Sequence, residues 1–237
     1  MEIRNFLNMK TERIQIGTIP AVVYGEPGDR GYLFLHGQMG RKEEAEAFAQ
    51  VVCPKGFGVL SIDLPGHGER QNLGKELAPW TAVPDIRAAL NWANHRWKAV
   101  SLRATSIGAY FAMLAFDAPE QALLVSPILD MEELILTMLS WAGATEHQLR
   151  EQGEISTDFG ETLSWNYLCW VREHPVSHWA CPVRILYGSE DNLTPRQIVE
   201  EYVRQHHAKL TIMEGGEHWF HTPEQLAILR KWEETET

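Results

Sequence analysis

The segment AVSLRATSIGAYFAM, residues 99–113, decides the fold, because an apolar strand pattern leads directly into a helix rich in small residues. We predict a strand over 99–105 and a helix over 107–118. Between them, ATSIG at 104–108 has the small-x-Ser-x-small pattern of a sharp strand-to-helix turn. Bulky side chains two positions from the serine would collide across this turn. The helix N-terminus directs free N–H groups at Ser106, which we predict to be a nucleophile.

Strand and helix patterns alternate along the rest of the chain. An edge hairpin at 14–25 precedes short apolar runs at 31–35, 57–64, 122–128, 183–187 and 210–213. Helical patterns fall at 42–52, 84–97, 195–206 and 223–232. Because such alternation forms right-handed crossovers, it predicts the α/β class with a mostly parallel, doubly wound sheet of about eight strands. We expect a single domain over residues 1–237.

Residues 130–179 interrupt this alternation, because they show helical patterns and no strand pattern. We predict a helical insertion over the carboxyl edge of the sheet, where open α/β sheets bind ligands. The insertion is rich in aromatic residues, of which Trp141, Trp165 and Trp170 are predicted to bind substrate together with Met39. The alternative is that these aromatic side chains only pack the insertion onto the body.

A serine hydroxyl needs a base to take its proton, and in this strand arrangement an acid and then a histidine follow the serine along the chain. Asp191 follows the run VRILY in a loop before a proline-started helix, and we predict that it orients the base. Glu190 and Asp130 are the alternatives for this role. His218 follows a glycine pair after the last strand and is the predicted base, with His221 of the same loop as the alternative.

Acyl transfer also needs N–H donors directed at the oxyanion that develops. One predicted donor is the backbone N–H of Ile107, the residue after the nucleophile. The second is expected from the loop HGQMG at 36–40, which follows the first buried strand and whose glycines permit close approach of a substrate. Gln38 is the predicted donor in that loop, and Met39 is the alternative.

The composition argues against several classes of protein. The 237-residue chain has a formal net charge of −11 at pH 7, whereas nucleic-acid binding requires a basic surface. Three cysteines do not form a disulfide framework, and no Cys/His metal spacing occurs, so we expect neither a metal nor an organic cofactor. Residues 1–16 lack a signal-peptide pattern, and no apolar run is long enough for a bilayer. We therefore expect a cytoplasmic protein without a membrane partner; the sequence indicates no oligomeric state.

Five segments together resemble the α/β-hydrolase superfamily, specifically its small-cap esterase and lipase-like members: LFLHGQMG (33–40), SIDLPGHGER (61–70), ATSIG (104–108), YGSEDNLTP (187–195) and GGEHWFHTPEQ (215–225). The resemblance implies that Ser106 is the nucleophile, that His218 is the general base and acid, and that Asp191 orients it. It also implies that Gln38 and Ile107 supply the oxyanion N–H groups and that residues 130–179 form a cap. This chain departs from the family pattern at two positions of the strand-to-helix turn. It has Ala104 where the family usually has glycine, and Thr105 where many members carry histidine.

The predicted function is that of a serine carboxylesterase that acts on small or medium acyl esters through an acyl-enzyme. A thioesterase, an acyltransferase, a peptidase or a hydroxynitrile lyase would use the same residues, and a non-catalytic ligand-binding protein of this fold is a further alternative. Dehalogenases and epoxide hydrolases of this fold resemble each other in carrying Asp at the strand-to-helix turn. This chain has Ser106 at that position, which argues against both classes. Nucleotide binding is disfavoured, because residues 36–40 contain neither G-x-G-x-x-G nor a Walker lysine.

Overall fold

A computed structural model describes residues 9–71, 74, 76–176 and 179–237 of the chain. Its strands are β1 Thr11–Ile16, β2 Ile19–Tyr24, β3 Arg30–Leu35, β4 Phe57–Ile62, β5 Ala99–Thr105, β6 Ala122–Val125, β7 Glu154–Ser156, β8 Thr162–Ser164, β9 Val183–Gly188 and β10 Lys209–Met213. Its α-helices are α1 Ala45–Val52, α2 Pro79–Arg96, α3 Ile107–Ala115, α4 Met131–Trp141, α5 Glu146–Gln152, α6 Trp165–Glu173, α7 Arg196–His206 and α8 Pro223–Glu236.

The main sheet has eight strands in the order β1-β2-β4-β3-β5-β6-β9-β10. Strand β2 runs antiparallel to both of its neighbours, and all the remaining neighbouring strands are parallel. The predicted α/β class and mostly parallel sheet are therefore confirmed. Because parallel strands connected by helices end at the same edge, the loops after β3, β5, β9 and β10 meet at one side of the molecule.

Both faces of the sheet are covered, as the continuous apolar strand patterns predict. In β3, Leu33 and Leu35 belong to a core shared with α2 and α3, whereas Tyr32 and Phe34 belong to a core shared with α1 and α8. The alternation follows from the two-residue period of a strand. The central strands are thus held on both sides, which fixes the loops at their carboxyl ends.

The segment between β6 and β9 contains α4, α5, α6 and a two-stranded antiparallel hairpin of β7 and β8. The hairpin corrects the prediction that residues 130–179 contain no strand. Its strands have three residues each, too few to show an alternating pattern, and its turn is held by hydrogen bonds between Thr157 and Glu161. Residues 177 and 178 of the predicted insertion lie outside the described residues.

Helix α2 begins at Pro79, earlier than the predicted residue 84. Proline is favoured in the first turn, and Thr81 Oγ1 accepts a hydrogen bond from the Ala78 N–H at 3.1 Å, so the helix start is capped ahead of Pro84. In the part of the chain that the structure describes, no helix combines the length and apolar character needed to cross a bilayer.

Candidate active site

The turn between β5 and α3 holds Ser106 in an uncommon backbone conformation, with φ 51° and ψ −124°. The two small residues of the pentapeptide explain how the chain makes this turn. Ala104 is fully buried, and a Cβ atom at Gly108 would lie 2.4 Å from the carbonyl oxygen of His36. The strain localised at a buried serine in front of a helix is typical of a functional position.

Three side chains from different loops form a continuous hydrogen-bonded chain. Ser106 Oγ lies 2.7 Å from His218 Nε2, and His218 Nδ1 lies 2.7 Å from Asp191 Oδ2. The other carboxylate oxygen of Asp191 accepts hydrogen bonds from the N–H groups of Leu193 and Thr194, at 2.9 and 3.1 Å. The buried carboxylate therefore has a fixed orientation. These partners favour the tautomer with a proton on Nδ1, which leaves Nε2 free to accept the serine proton.

The loops that carry Asp191 and His218 are joined to each other by backbone hydrogen bonds. The Glu190 N–H donates to the carbonyl oxygen of Gly216 at 2.8 Å. A Cβ atom at Gly188 would lie 2.3 Å from that same oxygen, so only glycine permits this close approach. The separation between the acid and the histidine is thus determined mainly by the backbone.

The alternative residues lie in other environments. Glu190 is exposed, and Asp130 accepts a hydrogen bond from the Glu133 N–H at 2.9 Å as the N-cap of α4. His221 Nδ1 is 3.0 Å from the carbonyl oxygen of Trp219, and its ring stacks on the Trp219 indole. Within the described residues, the structure therefore brings Asp191 and His218 to Ser106 rather than these alternatives.

The loop at 36–40 lies directly beside the serine, because a Cβ atom at Gly37 would be 3.2 Å from the Ser106 Cβ. Gln38 and Ile107 line the same cavity as Ser106. The Met39 N–H donates instead to His67 Nε2 at 2.9 Å and is therefore occupied. The geometry favours Gln38 over Met39 as the second oxyanion donor.

A buried ion pair holds the 36–40 loop against the loop after β4. The Asp63 carboxylate accepts hydrogen bonds from the Lys42 backbone N–H at 2.9 Å, from Lys42 Nζ at 2.8 Å and from the Glu69 N–H at 3.0 Å. Lys42 Nζ also contacts the Glu69 carboxylate at 2.7 Å. This pair was not predicted from the sequence, in which Lys42 begins a helical pattern after His-Gly and Asp63 lies in the apolar strand pattern at 57–64.

His36 completes the contact between the two loops. Its Nε2 accepts a hydrogen bond from the Leu64 N–H at 3.1 Å, and its Nδ1 lies 2.8 Å from the carbonyl oxygen of Gly37. Burial lowers the pKa of His36 to about 4, because the charged ring would lose its hydration. The ring is therefore neutral at pH 7, in agreement with one donating and one accepting nitrogen.

A cavity of about 470 Å³ lies beside Ser106 and beneath the insertion. Its apolar wall includes one face of α4, formed by Met131, Leu134, Ile135 and Met138, whose spacing in the sequence is that of an apolar helix face. Aromatic and acidic residues complete part of the wall: Glu76, Trp80, Glu154, Glu161 and Tyr167. The cavity is large enough for a small organic ester and is largely apolar.

The side chains predicted to bind substrate lie outside this cavity wall. Trp141 is 48% exposed and contacts Phe159, and Trp170 stacks on His174. Trp165 packs against the hydrophobic core, and Met39 is 89% exposed. Aromatic enrichment alone did not indicate which side chains face the cavity. In the described part of the chain, Trp80 and Tyr167 are the Trp, Tyr or Phe residues that line it.

No group of three or more His, Cys, Asp or Glu side chains arranged to hold a metal ion occurs among the residues that the structure describes. The described site consists of a serine, a histidine, an aspartate and backbone N–H groups beside an apolar cavity. Such a set can carry out nucleophilic attack and proton transfer with its own atoms.

The sheet topology and the hydrogen-bonded Ser-His-Asp set at its carboxyl edge define an α/β protein of the hydrolase class. Residues 32–228 match the model of the alpha/beta hydrolase family, and the chain belongs to this family. Membership in this family supports a hydrolase. A search among curated protein sequences found no significant match.

Solved structures of similar fold include several hydrolases. Est1E from Butyrivibrio proteoclasticus, solved with ferulic acid, is 19% identical with a TM-score of 0.77, over 94% of this chain and 96% of that chain. The esterase Pf2001 from Pyrococcus furiosus is 16% identical with a TM-score of 0.65, over 96% and 87% of the two chains. The thioesterase domain from the curacin biosynthetic pathway is 16% identical with a TM-score of 0.59, over 95% and 99%. At these identities the similarity shows the fold alone.

Proposed function

We propose that this chain is a serine carboxylesterase that hydrolyses small or medium acyl esters through an acyl-enzyme. The observation that carries the proposal is the hydrogen-bonded chain from Ser106 through His218 to Asp191, which ends beside the apolar cavity. Among the proteins of similar fold, one is named an esterase and another was solved with ferulic acid, a carboxylic acid. Both support an ester of a carboxylic acid as the substrate of this chain.

In the proposed reaction, Ser106 Oγ attacks the ester carbonyl while His218 Nε2 takes the hydroxyl proton. Asp191 holds the imidazole and stabilises its positive charge. The N–H groups of Ile107 and Gln38 stabilise the oxyanion, and each such donor typically contributes ~3 kcal/mol of transition-state stabilisation. His218 then protonates the leaving alcohol, which departs as the C–O bond breaks. Water activated by the same histidine releases the acid and restores the Ser106 hydroxyl.

The proposal is tested with p-nitrophenyl esters of acetate, butyrate, hexanoate and octanoate. We expect turnover by the wild-type chain and its loss in Ser106→Ala. Ser140→Ala, on the exposed side of α4, is the matched control and retains wild-type turnover. Turnover of all esters in Ser106→Ala at the wild-type rate would contradict the proposal.

Thioesters of N-acetylcysteamine and peptide p-nitroanilides, assayed with the same variants, distinguish the remaining hydrolase classes. The proposal predicts the highest kcat/KM for oxygen esters. A higher kcat/KM for thioesters or anilides would assign the same residues to a thioesterase or a peptidase. Accumulation of transfer products with added alcohols or amines, in place of free acid, would indicate an acyltransferase.

A further inference from the structure

A side-chain hydrogen bond connects the 36–40 loop to the insertion between β6 and β9. Gln38 Nε2 donates to Glu161 Oε1 at 3.3 Å, although the two residues are 123 positions apart in the chain. Gln38 belongs to the loop after β3, and Glu161 lies in the turn between β7 and β8. Both residues line the cavity beside Ser106. The hydrogen bond therefore joins a wall residue of the body to a wall residue of the insertion.

The body holds the backbone on one side of Gln38. The carbonyl oxygen of Gly37 lies 2.8 Å from His36 Nδ1 and accepts a hydrogen bond from the Gly40 N–H at 3.2 Å. Because the peptide unit between Gly37 and Gln38 is planar and trans, the direction of this carbonyl also sets the direction of the Gln38 N–H. The Gln38 side chain is exposed to solvent, and its contact is with Glu161 of the insertion. Body and insertion thus hold the same residue from two sides.

Glu161 has a fixed backbone from which its half-buried side chain reaches Gln38. The Glu161 carbonyl oxygen accepts hydrogen bonds from the Thr157 N–H at 2.9 Å and from Thr157 Oγ1 at 2.8 Å, and the Glu161 N–H donates to Thr157 Oγ1 at 3.1 Å. The next residue, Thr162, pairs with Ser156 across the hairpin. A contact with a fixed element costs less conformational entropy than a contact between two mobile segments. Glu161 is therefore a well-placed acceptor for the Gln38 amide, and its negative charge strengthens the hydrogen bond.

We propose that Glu161 is a positioning residue whose carboxylate holds the Gln38 side chain and thereby keeps the Gln38 N–H directed at the oxyanion. The insertion then contributes to transition-state stabilisation in addition to covering the cavity. Oxyanion donors act through their fixed orientation, so a loss of this contact lowers kcat more than it changes KM. This inference rests on the proposed esterase function and adds to it a role for the insertion.

Two substitutions of Glu161 separate the hydrogen bond from the charge, with p-nitrophenyl butyrate as the substrate. Glu161→Ala removes the acceptor and is expected to lower kcat about fivefold, the effect of one hydrogen bond, while KM stays within about twofold of wild type. Glu161→Gln removes the charge but keeps an amide oxygen that accepts from Gln38 Nε2, and it is expected to recover most of this loss. Asp158→Ala is the matched control, because Asp158 is an exposed carboxylate of the same turn, and it should retain the wild-type kcat.

Exchanging the two side chains tests the contact from both of its ends. Gln38→Glu alone places two carboxylates opposite each other and is expected to lower kcat more than Glu161→Ala does. The double variant Gln38→Glu with Glu161→Gln has the wild-type net charge and restores the hydrogen bond with donor and acceptor exchanged. Its kcat is expected to exceed that of Gln38→Glu at least about fivefold. A role of Glu161 in folding alone would not produce this recovery of kcat.

Several results would overturn the proposal. A wild-type kcat in Glu161→Ala, or an equal loss in Asp158→Ala, would show that the contact with Gln38 does not position the donor. A raised KM with an unchanged kcat would limit Glu161 to substrate binding. A higher kcat in Glu161→Gln than in the wild type would mean that the carboxylate opposes the oxyanion. No recovery in the exchanged double variant would also overturn the proposal.

Failure of this inference is distinguishable from failure of the esterase function. If p-nitrophenyl butyrate is hydrolysed by the wild type and not by Ser106→Ala, the esterase function holds whatever the Glu161 variants show. Thermal unfolding of each variant separates a folding defect from a catalytic one. If Glu161→Ala does not fold, the comparison of Gln38→Glu with the exchanged double variant still decides the proposal, because both keep a long polar side chain at each position.

Discussion

The Met39 backbone N–H donates a hydrogen bond to Nε2 of His67, with 2.9 Å between the two nitrogens. His67 Nδ1 lies 2.8 Å from the carbonyl oxygen of Pro65, which fixes the ring and its accepting nitrogen. Met39 has a φ of 60°, an uncommon conformation for a residue with a side chain. The histidine therefore stabilises a strained loop beside Ser106 and occupies the Met39 N–H, which was the alternative to Gln38 as the predicted oxyanion donor.

We predict that His67→Ala lowers kcat for p-nitrophenyl butyrate by roughly tenfold, less than the loss of a whole oxyanion donor. The physical reason is that a released Met39 N–H lets the loop relax and misaligns the Gln38 N–H. His95→Ala is the control, since His95 is exposed on α2, where its Nδ1 lies 2.7 Å from the carbonyl oxygen of Asn91 in the same helix. A folded His67→Ala variant with wild-type kcat would contradict this role.

Asp191→Asn is expected to lower kcat by roughly 10³–10⁴-fold with little effect on folding. The amide oxygen can still accept hydrogen bonds from the Leu193 and Thr194 N–H groups, but an NH₂ group facing His218 Nδ1 favours the wrong tautomer. Glu190→Gln, the exposed neighbour, provides the control and should retain activity. Comparable losses in the two variants would argue against the orienting role of Asp191.

Stability should fall between pH 6.5 and pH 4 because of His36. Its pKa is lowered by burial from 6.5 to about 4, so in this range the unfolded chain binds more protons than the folded chain. The free energy of unfolding then decreases as the pH falls, by about 3 kcal/mol from this group over the whole range. Urea unfolding at several pH values measures this slope, and His36→Gln should make it shallower. An unchanged slope in His36→Gln would contradict the lowered pKa of His36 as the cause of the pH dependence.

Glu233→Gln tests the buried ion pair between Glu233 of α8 and Arg103 of β5, the strand that precedes Ser106. Arg103 and Glu233 are 4% and 5% exposed in their side chains, with 2.9 Å between their charged atoms. The substitution leaves the Arg103 charge buried without its partner, and we expect it to cost about 3 kcal/mol in urea unfolding at pH 7.5. Glu234→Gln on the same helix breaks an exposed pair with Arg230 and should cost less than about 1 kcal/mol. Equal costs would contradict this difference in burial.

The sequence predicted the parts of the molecule that depend on local pattern. The apolar runs and helical spacings predicted the α/β sheet, which the topology and the family match confirm. Ser106, Asp191 and His218 were predicted from their positions after successive strands, and the structure brings them within hydrogen-bond distance. Strand ends converge at one edge of a parallel sheet, so order along the chain carries spatial information.

Contacts between distant side chains could not be predicted in the same way. Lys42 and Asp63 are 21 residues apart, and Arg103 and Glu233 are 130 residues apart, and no periodic pattern connects either pair. The orientation of the helices in the insertion could not be predicted either. Trp141 was expected in the pocket, yet it is half exposed, whereas Tyr167 lines the cavity. Which face of a short helix meets the body depends on tertiary packing rather than on composition.

Covalent labelling of the folded chain with an alkyl fluorophosphonate tests the central claim most directly. Attack by Ser106 Oγ forms an O–P bond and breaks the P–F bond, while His218 takes the serine proton and fluoride leaves. We predict one adduct per chain by intact mass, located by peptide mass spectrometry at Ser106, and its absence in Ser106→Ala. A folded wild-type chain that forms no adduct, or an adduct on another residue that persists in Ser106→Ala, would contradict the assignment of Ser106 as the nucleophile.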